Sequence, residues 1–387
     1  MKDKLFLSVA VLDMFNKALN LILLPIMLSL FNSADFGELA ICLSVAGIFT
    51  MILNSGTVAA ALKVKYLYKD NLDQPIFESL TCFVSLLGLF CVLLSFFFDI
   101  SYIYVVAILI GFFAHLKNLW FNENKSSGNI LIISKVYLLV IIINLIVSLL
   151  LISYFDLKSE GRLLGILFSY SPFIILIKKY FKNFKNKLKC CFKFFKSFKN
   201  KIFDSFPPFI LYNLPGYIDK PIMLLLFDMS TVGNWFILYS IISPLQVLSG
   251  SAVAVFEKQI FEFRSNKIIE FILKFKKYFI IMFISYCLYF FFAVFIIPSF
   301  VSKFNIGLSL LAIVLFSELP IFMSRLFTIN FLVFEKESIL TQNLLIKSLL
   351  FFLFLYLFKE HGLFGIAYSL LIVNFILFFL RLRIFKL

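Results

Sequence analysis

The sequence predicts an all-α polytopic membrane protein of about twelve transmembrane helices in two six-helix bundles of like orientation. Three observations carry this. The 387-residue chain is 62% hydrophobic and only 15% charged, with mean hydropathy +1.02. Its apolar residues fall into twelve long runs joined by short connections. A heptapeptide near the start, Pro25–Phe31 (P-I-M-L-S-L-F), returns at Pro221–Phe227 as P-I-M-L-L-L-F, an offset of 196 residues or about half the chain.

Composition decides the class first. A soluble domain is about 45–50% apolar and about 25% charged, so a chain this apolar needs the bilayer as its solvent. The first run contains Asp13 and Lys17 and lacks a small-residue cleavage site, so it is expected to stay as the first helix. The six cysteines (Cys42, Cys82, Cys91, Cys190, Cys191 and Cys287) show no C-x-x-C or metal spacing and read as small hydrophobes. The 55 phenylalanines and the excess of lysine over arginine fit a compositional bias and carry little functional weight.

A helix needs roughly 20 apolar residues to cross the hydrocarbon. The twelve runs are 6–30, 38–62, 76–98, 101–120, 130–154, 162–178, 206–227, 232–256, 276–298, 306–330, 339–358 and 362–380. Cations in the connections set the orientation. With the N-terminus inside, the inner connections hold Lys2 and Lys4; Lys63, Lys65 and Lys69; Lys117 and Lys125; ten lysines from Lys178 to Lys201; Lys258, Arg264, Lys267, Lys274, Lys276 and Lys277; Lys336; and Arg381, Arg383 and Lys386. The outer connections hold only Lys158, Arg162, Lys303 and Lys359. Both termini are therefore expected in the cytoplasm, and the net charge of +15 is mostly topology. The longest connection, 179–205, alternates Lys and Phe at helical spacing and reads as an amphipathic helix on the membrane surface. It matches no nucleic-acid module, and no nucleic-acid partner is expected.

The repeat extends past the heptapeptide. The same offset places L-F-N-S-A-D-F-G-E (Leu30–Glu38) on L-F-D-M-S-T-V-G-N (Leu226–Asn234), with Gly37 on Gly233. Six spans, an even number, separate the copies, so the halves have the same orientation. This predicts a parallel repeat about an axis along the membrane normal, with a pathway between the halves. The domains are then 1–178, a first six-helix bundle; 179–205, a basic cytoplasmic linker; and 206–387, a second six-helix bundle.

Three segments resemble the O-antigen (Wzx-type) polysaccharide flippases of the multidrug/oligosaccharidyl-lipid/polysaccharide (MOP) exporter superfamily, whose other branch is the MATE transporters. They are N-K-A-L-N-L-I-L-L-P-I-M-L-S-L-F-N-S-A-D-F-G-E, F-P-P-F-I-L-Y-N-L-P-G-Y-I-D-K-P-I-M-L-L-L-F and T-V-G-N-W. The family's usual Asp-Arg in span seven is Asp219–Lys220 here, which weakens any bidentate phosphate contact at that point. The resemblance implies a MATE-like fold in the bacterial inner membrane. It implies movement of an undecaprenyl-diphosphate-linked oligosaccharide from the cytoplasmic to the periplasmic leaflet, coupled to an ion or a proton. It also implies a polysaccharide polymerase and a chain-length regulator as partners, and no cofactor.

A lipid-diphosphate-sugar needs a polar cavity with cationic groups, so charges inside spans are the informative residues. Each costs roughly 2.5–3.5 kcal/mol on insertion scales. Asp13 and Lys17 lie four apart on one face of span one, with Asn16 and Asn20 on an adjoining face. A local ion pair and a cavity lining are both open readings. Asp219 and Lys220 lie among Pro207, Pro208, Pro215, Gly216 and Pro221, a density that argues for a broken helix lining a cavity rather than a kink for packing. Glu318 and Arg325, seven apart around Pro320, are either a structural pair or cavity groups. The expected substrate-cavity residues are therefore Lys17, Asn20, Asp219, Lys220, Arg325 and Lys347, and the coupling residues are Asp13 and Glu318. Lys135 reads as a snorkelling residue, His115 as an interfacial one, and His361 as an outer-loop residue.

No catalytic or metal constellation occurs: the chain has no G-x-S-x-G, H-E-x-x-H or P-loop. The competing readings are a MATE-like drug/cation antiporter and, less favoured, a membrane-embedded polysaccharide polymerase or glycosyltransferase. Such enzymes commonly need a sizeable outer loop, and here the long connection is predicted inside.

Overall fold

The computed structural model describes residues 23–54, 76–98, 100–126, 129–194, 196, 210, 215–263, 267–296, 301–304, 306–333 and 337–382. A helix lies on each of the twelve apolar runs. In chain order they are α1 (residues 23–30), α2 (Ser33–Asn54), α3 (Ile76–Phe97), α4 (Tyr102–Ser126), α5 (Ile130–Ser153) and α6 (Lys158–Ser169) followed directly by α7 (Ser171–Ile177). After the linker helix α8 (residues 184–194) come α9 (Pro215–Leu226), α10 (Met229–Glu262), the short α11 (Ile268–Lys274), α12 (Lys276–Ile296), α13 (Leu308–Val333), α14 (Glu337–Leu357) and α15 (Gly362–Leu382). Seven of the described helices are long and apolar enough to cross a membrane by themselves. An all-helical chain is what the bilayer demands, because a helix satisfies its own backbone groups where no water can.

The outer faces of these helices are apolar. On α12 alone, Ile280, Ile281, Phe283, Ile284, Leu288, Phe291 and Phe295 are exposed. In water such a face would be an aggregation site; in a bilayer it is the lipid contact. The interior is aromatic and close-packed, with Trp120 against Phe173, and with Phe271 among Phe263, Phe275, Phe279 and Phe327.

Contacts divide the chain into two compact units, Met1–Leu19 with Glu38–Pro221 and Asn20–Gly37 with Ile222–Leu387. In the first unit, α5 and α6 pair through a G-x-x-x-G on α6. A side chain at Gly165 would meet the Ser148 hydroxyl at 2.1 Å, and one at Gly161 would meet the Leu151 backbone at 3.1 Å. Small residues at this spacing let two helix backbones approach closely in lipid. The predicted span 162–178 is divided at Tyr170 into α6 and α7, with Pro172 in the first turn of α7. The linker helix α8 is amphipathic as expected. Leu188, Cys191 and Phe194 turn inward, Lys185, Lys189 and Lys193 outward, Phe192 packs edge-on against Phe83, and Lys187 pairs with Glu78 of α3. Burial pushes the Cys191 thiol up to about 12, which keeps it unreactive.

In the second unit the two copies of the repeat meet. Gly37 of α2 lies against the carbonyl of Met229, where a Cβ would approach to 2.2 Å; Gly233 of α10 lies against the carbonyl of Ser33, where a Cβ would approach to 1.7 Å. Ser33 and Met229 are themselves equivalent under the 196-residue offset, so the contact is symmetric. The helix caps are equivalent too. Asn32 accepts from the Asp35 N–H at 2.9 Å, and Asp228 accepts from the Thr231 N–H at 3.0 Å. The Ser33 hydroxyl donates to Asn234 at 2.8 Å across the contact.

Two outcomes test this arrangement. Gly233→Ala forces a Cβ onto a backbone oxygen and should lower stability in detergent by about 1–3 kcal/mol. Gly216→Ala, with open space around it, should not; paired thermal-unfolding curves decide. Hydrogen bonds from Thr231 hold the Asp228 carboxyl below its ordinary value. Its capping contribution is therefore present above the unfolded carboxylate range and is lost as pH falls through the folded one. Asp228→Asn should keep the cap and remove that acid-side dependence from the melting temperature.

Candidate functional site

Proline and glycine shape the first polar site. Pro215 opens α9, where its missing N–H costs nothing. Pro221 lies inside the helix and leaves the Tyr217 carbonyl without its usual donor. Between them Asp219 and Lys220 are both buried. The Lys220 ammonium donates to both oxygens of Asp219, at 2.9 and 3.0 Å, and lies 3.3 Å from the Gly216 carbonyl. The Lys220 backbone N–H also donates to Asp219, at 2.9 Å. The break expected at Pro221 is absent: Pro215–Leu226 is one continuous helix, and the long Lys220 side chain folds back onto its neighbour Asp219. Tyr217 fills the space over Gly47 of α2, so α9 is seated by an aromatic ring on a glycine.

The second site lies in the C-terminal unit. Glu318, on α13 two residues before Pro320, is 5% exposed. It accepts from the Gln246 side chain of α10 at 3.3 Å. The Gln246 backbone carbonyl in turn accepts from Arg325 at 2.7 Å, and its side-chain oxygen accepts from the Tyr239 hydroxyl at 3.2 Å. The charges of Lys347 and Arg325 act on the Glu318 carboxyl. Asn374 of α15 donates to the Ser317 carbonyl beside it at 3.0 Å. Pro244 in α10 frees the Ser240 carbonyl, which the Ser243 hydroxyl occupies at 2.8 Å. Gln246 thus bridges Glu318 and Arg325, and Lys347 lies near enough for its charge to act on the same carboxyl.

A third cluster was not expected. Arg162 lies within α6, not in an outer connection, and is 2% exposed. It donates to Asn144 at 2.6 Å and Ser148 at 2.8 Å, both on α5. The G-x-x-x-G that flanks it, Gly161-Arg162-Leu163-Leu164-Gly165, is the signal that marks it as part of a packed span. Nearby, Ser159 donates to Glu38 of α2. His115 is likewise fully buried rather than interfacial, with its Nδ1 2.6 Å from the Asn54 side-chain oxygen. Arg381, expected in the terminal connection, is buried and donates to the Ser324 hydroxyl at 2.7 Å. Lys135 is exposed, in keeping with snorkelling. Asp13, Lys17 and Asn20 lie outside the described residues. Among the described residues no group of three or more His, Cys, Asp or Glu is placed to hold a metal.

The sequence matches no protein-family model and no curated protein. Its architecture does match solved structures along nearly the whole chain. The lipid II flippase MurJ in an inward closed conformation superposes with TM-score 0.71 at 15% identity, over 99% of this chain and 86% of that one. The chain has the fold of the MATE transporters and lipid flippases. An inward-facing MATE transporter of the MOP superfamily superposes with TM-score 0.66 at 14% identity, over 99% and 98% of the two chains. A Vibrio cholerae MATE transporter gives 0.59 at 12% identity, over 99% and 95%. Identity this low speaks to the fold alone.

The Arg162 cluster makes a direct prediction. Asn144→Leu leaves a buried guanidinium short of an acceptor and should cost about 1.5–3 kcal/mol. Adding Arg162→Leu should recover part of that loss by making the contact apolar, as a double-mutant cycle of melting temperatures would show.

Proposed function

We propose that this chain is a flippase for an anionic lipid-linked oligosaccharide, an undecaprenyl-diphosphate-linked repeat unit of O-antigen or a similar surface polysaccharide. In this reading it sits in the bacterial inner membrane with both termini cytoplasmic. The bundles 1–178 and 206–387 alternate access about a central path, and 179–205 links them. The observation that carries the proposal is the buried Asp219–Lys220 pair beside Pro221 in span seven. The first repeat copy has Leu23–Leu24 at the equivalent place, so the charge is an addition to the scaffold rather than part of it. In this reading an incoming diphosphate competes with the Asp219 carboxylate for the Lys220 ammonium.

Lys17, Asn20, Arg325 and Lys347 complete the proposed cavity, and Asp13 and Glu318 are the proposed coupling groups. Arg162 and Arg381 add to the cationic interior, which favours an anionic cargo. Flipping needs no bond chemistry, and the reading is of a transporter rather than an enzyme. A polymerase and a chain-length regulator would act on the delivered units.

A second reading, a MATE-like drug/cation antiporter, draws on the buried Glu318 with its amide neighbours, a plausible stopping place for a cation or proton. The two separate experimentally. In cells that depend on this chain for surface polysaccharide, Lys220→Ala should abolish the polysaccharide while the protein still inserts, and lipid-linked units should accumulate on the cytoplasmic leaflet. Normal polysaccharide from that variant removes the site. Drug tolerance conferred by the wild-type chain, without any effect on polysaccharide, would select the antiporter.

A further inference from the structure

Helices α3, α4 and α7 enclose a groove of about 650 Å³ on the first unit, within the 300–1,000 Å³ range of ligand sites. Gly88 is part of its wall, and a Cβ there would lie 2.3 Å from the Phe112 ring, so the glycine lets that ring pack closely on α3. Phe112 and Leu116 are buried, while Leu89 and Ile174 are exposed at 58% and 46%. Apart from Ser85, the wall is hydrocarbon until its last turn, where Lys178 lines it. Lys178 is exposed, and Lys182 and Lys185 follow it, also exposed. The groove therefore has one apolar length and one cationic end.

We infer that this groove binds one anionic glycerophospholipid, an acyl chain lying along α4 and the phosphate against Lys178. Two features set it apart from the general lipid contact. The exposed side chains of α12 form a broad apolar face, whereas this surface is a defined cavity. Its charge is complementary to an anionic headgroup at one end only, the end from which the basic linker departs, and polybasic segments at a membrane surface attract anionic lipid. A lipid held there would lie beside α8, whose Lys187–Glu78 contact ties the linker to α3. The inference is independent of what the chain transports.

The test uses the full-length protein in native membranes. A photo-crosslinking residue replaces Ile174 in the groove or, as reference, Ile284 on the exposed face of α12. Lipid adducts are then identified by mass spectrometry. Phosphatidylglycerol and cardiolipin should be enriched over phosphatidylethanolamine about fivefold at Ile174 relative to Ile284, the size of one lysine's attraction to an anionic surface. Lys178→Gln should bring the two positions to the same ratio, and Lys189→Gln on the outer face of α8 should leave the enrichment in place. The inference is overturned by equal lipid ratios at the two positions, by enrichment that persists in Lys178→Gln, by an equal loss in Lys189→Gln, or by an adduct at Ile174 carrying a polyprenyl chain.

Discussion

Two glycines, Gly37 and Gly233, hold the paired turns of this molecule together. Each lets a helix start lie directly on a backbone carbonyl of its counterpart, at Met229 and Ser33. In hydrocarbon, side-chain burial gives helices no reason to prefer one another over lipid, so close backbone approach and directed hydrogen bonds carry the association. The surrounding structure follows from this approach. Asn32 and Asp228 cap the two helices at equivalent places, and the Ser33 hydroxyl reaches Asn234. Phe36 packs between Phe31 and Phe304, and Lys303 donates to the Phe31 carbonyl at 3.3 Å. A duplicated scaffold is thus joined by the same short motif that reveals the duplication.

The buried charges are housed in three ways. Lys220 is paired with Asp219, its own neighbour on a continuous helix. Arg162 meets neutral groups at its Nη1, an amide and a hydroxyl. Glu318 is linked to Arg325 through Gln246, whose side chain meets the carboxylate and whose backbone carbonyl meets the guanidinium. Prolines or close-packed glycines lie next to all three, since a regular isolated helix offers no spare backbone group and no room for a second helix at contact distance. The MATE-type fold supplies the frame, and these buried groups form polar places inside it.

Much of this was legible in the amino acids. Hydropathy located all twelve runs, because twenty apolar residues in succession have only one inexpensive solution in a bilayer. The helix bounds follow those runs closely, including the amphipathic α8, whose lysines recur every fourth residue. The repeat was legible for the same reason that it is structural, since Gly37 and Gly233 have no substitute at a backbone contact. Asp219 and Lys220 stood out as charges inside a span and are indeed buried, but the helix around Pro221 is continuous where the prolines led one to expect a break.

The partners of the buried charges were not legible. Positive-inside counting assigned Arg162 and Arg381 to connections, because that rule weighs cations near helix ends without regard to what they touch. His115 was read as interfacial for the same reason. Only packing puts Asn144 and Ser148 under Arg162, Ser324 under Arg381, and Asn54 beside His115, because each partner comes from another helix, 14 to 61 residues away. Composition and periodicity belong to one helix at a time, and they carried the class, the spans and the duplication. Which charge meets which acceptor depends on how neighbouring helices are rotated and how closely they approach, and that was settled in three dimensions.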